Sequence, residues 1–375
     1  MVRRVVIVQR RLTHYRVPMF ELLRESLGAG GIGLDLLVGE GTARERERKD
    51  AGEIAWARKL PTLYFAGGKV CWQPYLQHLH GADLVVVTQE NGLLANHLLL
   101  WRSRPFKRAF WGHGANLQSK HPNGLRERFK RWTTTRADWW FAYTDLSAEL
   151  VRSAGFPDSQ ITVLNNTVDT SEMERVKKSL DPAEVDALRR SLGFQDHPVG
   201  VFLGSLDAPK RLAFLLRAAE AIRIEMPEFR LLIIGDGAER RLVEDWCGAH
   251  PWARWLGSKY GREKAILLAL GRVLLNPGAV GLGILDSFVF ELPTITTNCG
   301  LHGPEIAYLQ SNHNGLVTAD DLNAYVKASI ELLRNPKRLA VLRDGCGMSA
   351  KELTLENMVD RFSRGVEGAL ALNAR

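Results

Sequence analysis

NPGAVGLGILDSFVFELP, residues 276–293, reads as a strand end, a glycine turn, an apolar helix start and a second turn. A turn of that kind leaves backbone N–H groups unpaired at a helix N-terminus, where the helix dipole favours negative charge, and so suits a phosphate. One acid, Asp286, is expected to face the opening. The segment therefore predicts a site for a nucleotide or a sugar phosphate. Glycines between a strand and a helix also serve plain folding, because Gly supplies backbone angles that other residues avoid. The surrounding sequence has to decide between the two.

Outward from that segment, short β-branched or leucine-rich runs alternate with helical stretches in both directions, which predicts parallel sheets covered by helices. Strands are expected at 5–8, 34–38, 84–87, 108–111, 140–143 and 161–164, then at 199–203, 230–234, 255–256, 273–275 and 294–296. The expected organisation is a first doubly wound domain over 1–167, a linker over 168–195, and a second domain over 196–352. A final helix, within 353–375, is expected to pack back on the first. In such folds ligands bind beyond the carboxyl ends of the strands, and a cleft is expected where the two domains face each other.

At 375 residues, 45% hydrophobic and 25% charged, the chain has the composition of a globular protein with room for two cores. Its start, MVRRVVIVQRRL, looks like a first strand and not a secretory signal. No run approaches the ~18 apolar residues of a membrane span, so a cytosolic location is expected. Cys71, Cys247, Cys299 and Cys346 lie far apart and suggest neither a disulfide framework nor a zinc site. No metal is expected. The net charge of +8 is concentrated between Trp101 and Trp140, where Arg102, Arg104, Lys107, Arg108, Lys120, Arg126, Arg128, Lys130, Arg131 and Arg136 lie among five tryptophans. That mixture fits a helix on anionic headgroups at the inner face of the membrane. A solvated face is the plain alternative, and no DNA- or RNA-binding motif supports a nucleic-acid partner.

Polar groups cluster at predicted strand ends. Gly204, Ser205, Lys210 and Arg211 lie in a loop between a strand and a helix, where Lys210 or Arg211 would meet a diphosphate. Gly235-Asp236-Gly237 repeats the strand, turn and helix pattern but lacks the spacing of a dinucleotide fingerprint, and a structural turn accounts for it equally. His113, between Gly112 and Gly114, would be exposed at a strand end to bond a sugar hydroxyl or a departing phosphate. Arg10, Arg11, His14, Tyr15 and Arg16 follow the first strand and are expected on the acceptor side. Glu305, behind Pro304, suits either a helix first turn or a substrate contact.

Set in order, these segments resemble the retaining glycosyltransferases of family 4, built on the two-domain GT-B fold. The resemblance spans nearly the whole chain and is most specific from Gly204 to Gly315, with a strand followed by G-x-x-x-x-x-K, then G-D-G, N-P-G-x-x-G-L-x-x-L-D and P-E-I with N-G behind it. Residues 10–18, RRLTHYRVP, look like the opening of members that build bacterial surface polysaccharides. The resemblance implies a retaining hexosyltransferase that uses a nucleotide-diphosphate sugar as co-substrate, without a further cofactor, and a lipid-linked or oligosaccharide acceptor. It implies that Lys210 contacts the donor diphosphate, that Gly281 and Leu282 offer amides near it, and that Asp286 holds the ribose hydroxyls. His113 is implied near the donor sugar. Three positions depart from the family pattern: Gly278 replaces the first of its paired acids, Ser205 replaces an arginine, and Glu291 replaces a glycine. A nucleotide-sugar epimerase or phosphorylase on the same fold, or a non-catalytic polysaccharide-assembly partner, are the rival readings.

Overall fold

The computed structural model describes residues 2–47, 50–101, 105–114 and 124–372. The chain divides into two compact units, Met1–Asp169 with Leu355–Arg375, and Thr170–Thr354.

In unit 1 the strands run β1 Arg3–Gln9, β2 Ile32–Val38, β3 Arg58–Lys59, β4 Leu63–Phe65, β5 Val70–Trp72, β6 Leu84–Thr88, β7 Lys107–Gly112, β8 Trp139–Ala142 and β9 Ile161–Val163. Seven of them form a parallel sheet in the order β3-β2-β1-β6-β7-β8-β9, and β4 and β5 pair separately as an antiparallel hairpin. Side chains alternate across a strand, so each strand of a sheet covered on both faces must be apolar on both. Val5 and Ile7 accordingly join Trp111, Trp139 and Phe141 under the helices Val17–Ala29 and Leu355–Ala371, whereas Val6, Val8, Phe110 and Trp140 join the opposite core.

The same alternation corrects one expectation. Trp111, Trp139 and Trp140 are only 1%, 8% and 0% exposed, so these tryptophans fill the core and cannot meet a membrane. Of the basic residues in that stretch, Arg102, Arg104 and Lys120 lie outside the described residues, as does the side chain of Arg126.

Unit 2 continues with β10 Val199–Leu203, β11 Arg230–Ile234, β12 Ala253–Trp255, β13 Val273–Leu275, β14 Thr294–Thr297 and β15 Gly315–Thr318. They form a parallel sheet in the order β12-β11-β10-β13-β14-β15. One face packs on Leu212–Glu225 and Leu322–Arg334, the other on Gly261–Leu268 and Ser171–Ser179. The run expected as a linker, 168–195, therefore differs from a tether. It folds as two helices, Ser171–Ser179 and Pro182–Ser191, because Met173, Val176, Val185 and Leu188 supply apolar positions that close the core of unit 2 around Phe194. Lys177 secures the first of these helices by bonds to the Val289 carbonyl at 2.8 Å and to Glu291 at 2.7 Å. Glu291, where the resemblance implies glycine, thus anchors this helix.

Candidate functional site

The loops after β10, β11, β13 and β14 all leave the carboxyl edge of the sheet in unit 2, the edge at which open α/β sheets bind ligands. The first two are locked together by glycine. Gly204 and Gly235 have φ of +153° and +144°, and a Cβ on Gly235 would lie 1.8 Å from the Gly204 carbonyl oxygen. A Cβ on Gly237 would meet the backbone of Leu206 at 2.6 Å. Gly235-Asp236-Gly237 is thereby explained by close backbone packing, the plainer of its two readings.

That packing sets the course of the loop carrying Lys210. Its ammonium donates to the Ala279 carbonyl at 2.5 Å and lies beside two glycines, 3.6 Å from where a Cβ of Gly204 would be and 3.8 Å from one on Gly281. Burial pushes the Lys210 pKa down from its ordinary value, and Glu305 and Asp207 oppose the shift. Lys210 therefore offers a positive charge, poorly hydrated and held between two loops, which is the state in which a cation acts most strongly on a phosphate.

The glycine turn is held from several sides. The Ala279 N–H donates to the Pro209 carbonyl at 2.8 Å, and the Val280 N–H donates to His302 Nδ1 at 3.2 Å. His302 Nε2 in turn donates to the Thr297 carbonyl at 2.7 Å while Nδ1 accepts, which fixes a neutral tautomer; burial lowers its pKa, and the bond to Thr297 opposes the shift. Position 278 has no room for the acid that the resemblance implies there. A Cβ there would lie 2.3 Å from the Pro209 carbonyl oxygen and 2.5 Å from the Lys210 carbonyl carbon. Gly278 is thus a consequence of how the Lys210 loop packs.

Asp286 sits in the helix Gly283–Val289, which follows the turn. At seven residues this helix is short, and its dipole is correspondingly weak. Asp286 pairs with Lys264 of the helix Gly261–Leu268, with Nζ to Oδ2 at 2.9 Å and both side chains largely buried. Burial pushes the Asp286 pKa up, and Lys264 pulls it back. Lys264 is a neighbour that the sequence reading missed: 22 residues separate the pair, and no local spacing signals it.

Arg211 is turned away from this group. It adopts the left-handed region with φ +57° and caps the next helix, while its guanidinium bonds Asp320, the Thr297 hydroxyl at 3.1 Å and the Pro277 carbonyl at 3.3 Å. Its charge serves the internal frame. Ser205 is exposed, and Leu282 lies at the end of the turn, immediately before the helix.

The first-strand cluster of unit 1 separates into two groups. Arg10 is closed onto Glu45 at 2.6 and 2.8 Å with Tyr64 at 2.9 Å, and Arg11 onto Asp50 at 2.7 and 3.0 Å. The Arg10 guanidinium holds the Glu45 carboxyl down to about 2. Arg16 instead lies over Trp111 at 5.0 Å and Tyr143 at 5.6 Å, with Tyr15 at 5.9 Å. His113 packs edge-on against Tyr143 with ring centroids 4.3 Å apart. The protein around its ring, then Lys130 and Arg16, hold the His113 imidazole down to about 4, although the residue keeps an exposed side. His113 is neutral at pH 7. His14 is exposed, bonds the Asp50 carbonyl at 3.3 Å and meets the Tyr15 ring edge-on at 5.8 Å. Among the described residues no group of His, Cys, Asp and Glu is arranged to hold a metal ion.

The paired parallel sheets, wound on both faces, define the GT-B fold. Residues 197–335 match the family model Glycosyl transferases group 1. Among solved structures, HepE of Anabaena in complex with UDP is similar with a TM-score of 0.71 at 14% identity, over 97% of this chain and 99% of that one. The pneumococcal O-GlcNAc transferase GtfA, in complex with UDP and GlcNAc, is similar with a TM-score of 0.68 at 10% identity, over 99% of both chains. WaaG, a glycosyltransferase involved in lipopolysaccharide biosynthesis, gives 0.62 at 14% identity, over 96% of this chain and 98% of that one. No curated protein matches the sequence. The family match and the fold together support a GT-B glycosyltransferase.

Proposed function

We propose that the protein transfers a hexose from a nucleotide-diphosphate sugar to a lipid-linked or oligosaccharide acceptor in surface-polysaccharide synthesis, with retention of anomeric configuration. The observation that carries the reading is the placement of Lys210, a half-buried cation set between Gly204, Gly281 and the Ala279 carbonyl within the segment that matches the family. HepE and GtfA were solved with UDP, which makes a uridine nucleotide the first donor to test.

In this reading the bond between the sugar C1 and the diphosphate oxygen breaks, and the nucleoside diphosphate leaves with the electron pair. Lys210 neutralises the charge that grows on the diphosphate, with the amides of Gly281 and Leu282 beside it. Asp286, held by Lys264, receives the ribose hydroxyls. The acceptor hydroxyl attacks C1 from the face that the diphosphate leaves, and its proton passes to the leaving phosphate. Neutral His113 of unit 1 is our candidate partner for a saccharide hydroxyl, and Glu305 of unit 2 our candidate for a hydroxyl of the transferred sugar. The protein positions and stabilises charge, and we invoke neither metal nor cofactor. Proton NMR of the product decides the stereochemistry: an α-linked product from an α-linked donor is expected, and a β-linked one would overturn the retaining mechanism.

We place the protein in the cytosol, attached peripherally to the inner face of the membrane through the helix Leu125–Thr134. Phe129 and Trp132 are 36% and 44% exposed there, and Arg128, Lys130 and Arg131 accompany them. Among the described residues no helix is long and apolar enough to cross a membrane. Each basic residue near an anionic surface contributes about 1 kcal/mol. Replacing Arg128, Lys130 and Arg131 by Gln should weaken binding to phosphatidylserine vesicles on the order of a hundredfold. Unchanged vesicle sedimentation would remove the membrane assignment.

A further inference from the structure

Unit 1 contains a cavity of about 880 Å³ beside the β4–β5 hairpin. We infer that this cavity is a saccharide site selecting an acceptor that carries a negative charge, a carboxylate or a phosphate on the glycan. The inference rests on the glycosyltransferase reading above and names the acceptor class that the reading leaves open.

Size and lining both point to a polyhydroxylated ligand. The volume is at the upper end of small-molecule sites, and the walls are chiefly charged and hydroxylated, with Leu93 and Ala43 among the few apolar side chains. Four cations, Arg10, Arg44, Arg46 and Lys69, face two acids, Glu45 and Glu90. Arg10 and Glu45 cancel each other in their two-pronged pair, and Glu45 is fixed further by the Thr42 N–H at 2.9 Å. Arg46 approaches Glu40 at 3.5 Å, with both side chains well exposed, so solvent screens that pair. Arg44 and Lys69 are exposed cations opposed only by Glu90 within the lining, which leaves an excess of positive charge toward the cavity.

The frame is built to hold that arrangement. The Cys71 N–H donates to the Gly92 carbonyl at 2.8 Å, and Gln73 donates to the Arg10 carbonyl at 3.0 Å, tying the hairpin to the loops beneath it. A Cβ on Gly92 would lie 2.4 Å from the Lys69 carbonyl oxygen, so glycine at 92 lets the loop pack closely on the backbone of Lys69.

Calorimetry of the full chain with three probes tests the inference: a glucuronate-containing tetrasaccharide, glucose 1-phosphate and neutral maltotetraose. At least one anionic probe should bind tenfold or more tightly than maltotetraose, and the other arm tells carboxylate from phosphate. Arg44→Glu with Lys69→Glu should erase that advantage, and Arg44→Gln with Lys69→Gln should reduce it. Both changes lie on exposed side chains, and unchanged thermal melts would confirm folding. Equal binding of neutral and anionic probes, no binding of any probe, or an advantage that survives charge reversal would each overturn the inference. UDP, GDP and dTDP added in turn to the wild-type chain report the donor reading separately: a protein that binds the anionic saccharide but none of the three would refute the glycosyltransferase and leave the cavity standing as a saccharide site.

Discussion

Lys210→Ala is expected to lower kcat on the order of 10²- to 10³-fold, the loss typical when one preorganised charge-stabilising donor is removed. The basis is its setting: the ammonium is anchored on the Ala279 carbonyl at 2.5 Å, between the backbones of Gly204 and Gly281, and is partly stripped of water. The alternative cation in the loop, Arg211, is engaged by Asp320 and Thr297 and is poorly placed to compensate. Steady-state release of nucleoside diphosphate gives the comparison, with Lys210→Arg as a second variant that keeps the charge but not the shape. A Lys210→Ala enzyme within threefold of wild type would remove Lys210 from the reaction.

Phe362→Ala is expected to destabilise unit 1 by about 3–5 kcal/mol, the usual cost of truncating a buried Phe. Phe362 is fully buried, stacks on Phe141 with centroids 4.3 Å apart, and meets Trp111 edge-on at 5.2 Å. The helix that carries it, Leu355–Ala371, also buries Met358, Val359 and Val366, packing on the helix Val17–Ala29 and on the strands β6 to β9. A shift of under 1 kcal/mol in urea unfolding, followed by tryptophan fluorescence, would show that this helix contributes little to the core. The fluorescence of Trp111 and Trp139 reports that core directly.

The parallel strands were legible because each is a compact apolar run between turn signals; 199–203, 230–234 and 273–275 fall on the observed bounds. What escaped was short or polar. Leu63-Tyr64-Phe65 and Val70-Cys71-Trp72 offer three residues each, too few for a period, and they contribute Tyr64 and Cys71 to the unit 1 cavity. Gly315–Thr318 opens on the glycine of an N-G pair that reads as a turn. Buried tryptophans between arginines resemble an interfacial helix in sequence, because the β-period of 139–142 occupies only four residues. Within the site, the sequence pointed to Lys210, Gly281 and Asp286. It could not show that Arg10 and Arg11 are neutralised by acids 35 and 39 residues away, or that Lys264 answers Asp286. Nor could it show why Gly278 departs from the family. The cause is steric contact with a loop some seventy residues earlier, and it weakens the reading of Gly278 as a mark of lost activity.

The most direct test is release of free nucleoside diphosphate from a panel of UDP-, GDP- and dTDP-sugars by the purified chain, with membrane extract as a source of acceptor. The account predicts acceptor-dependent release from one donor, lost in Lys210→Ala and reduced in Asp286→Ala. No release from any donor with acceptor present, or release equal in wild type and both variants, would contradict it.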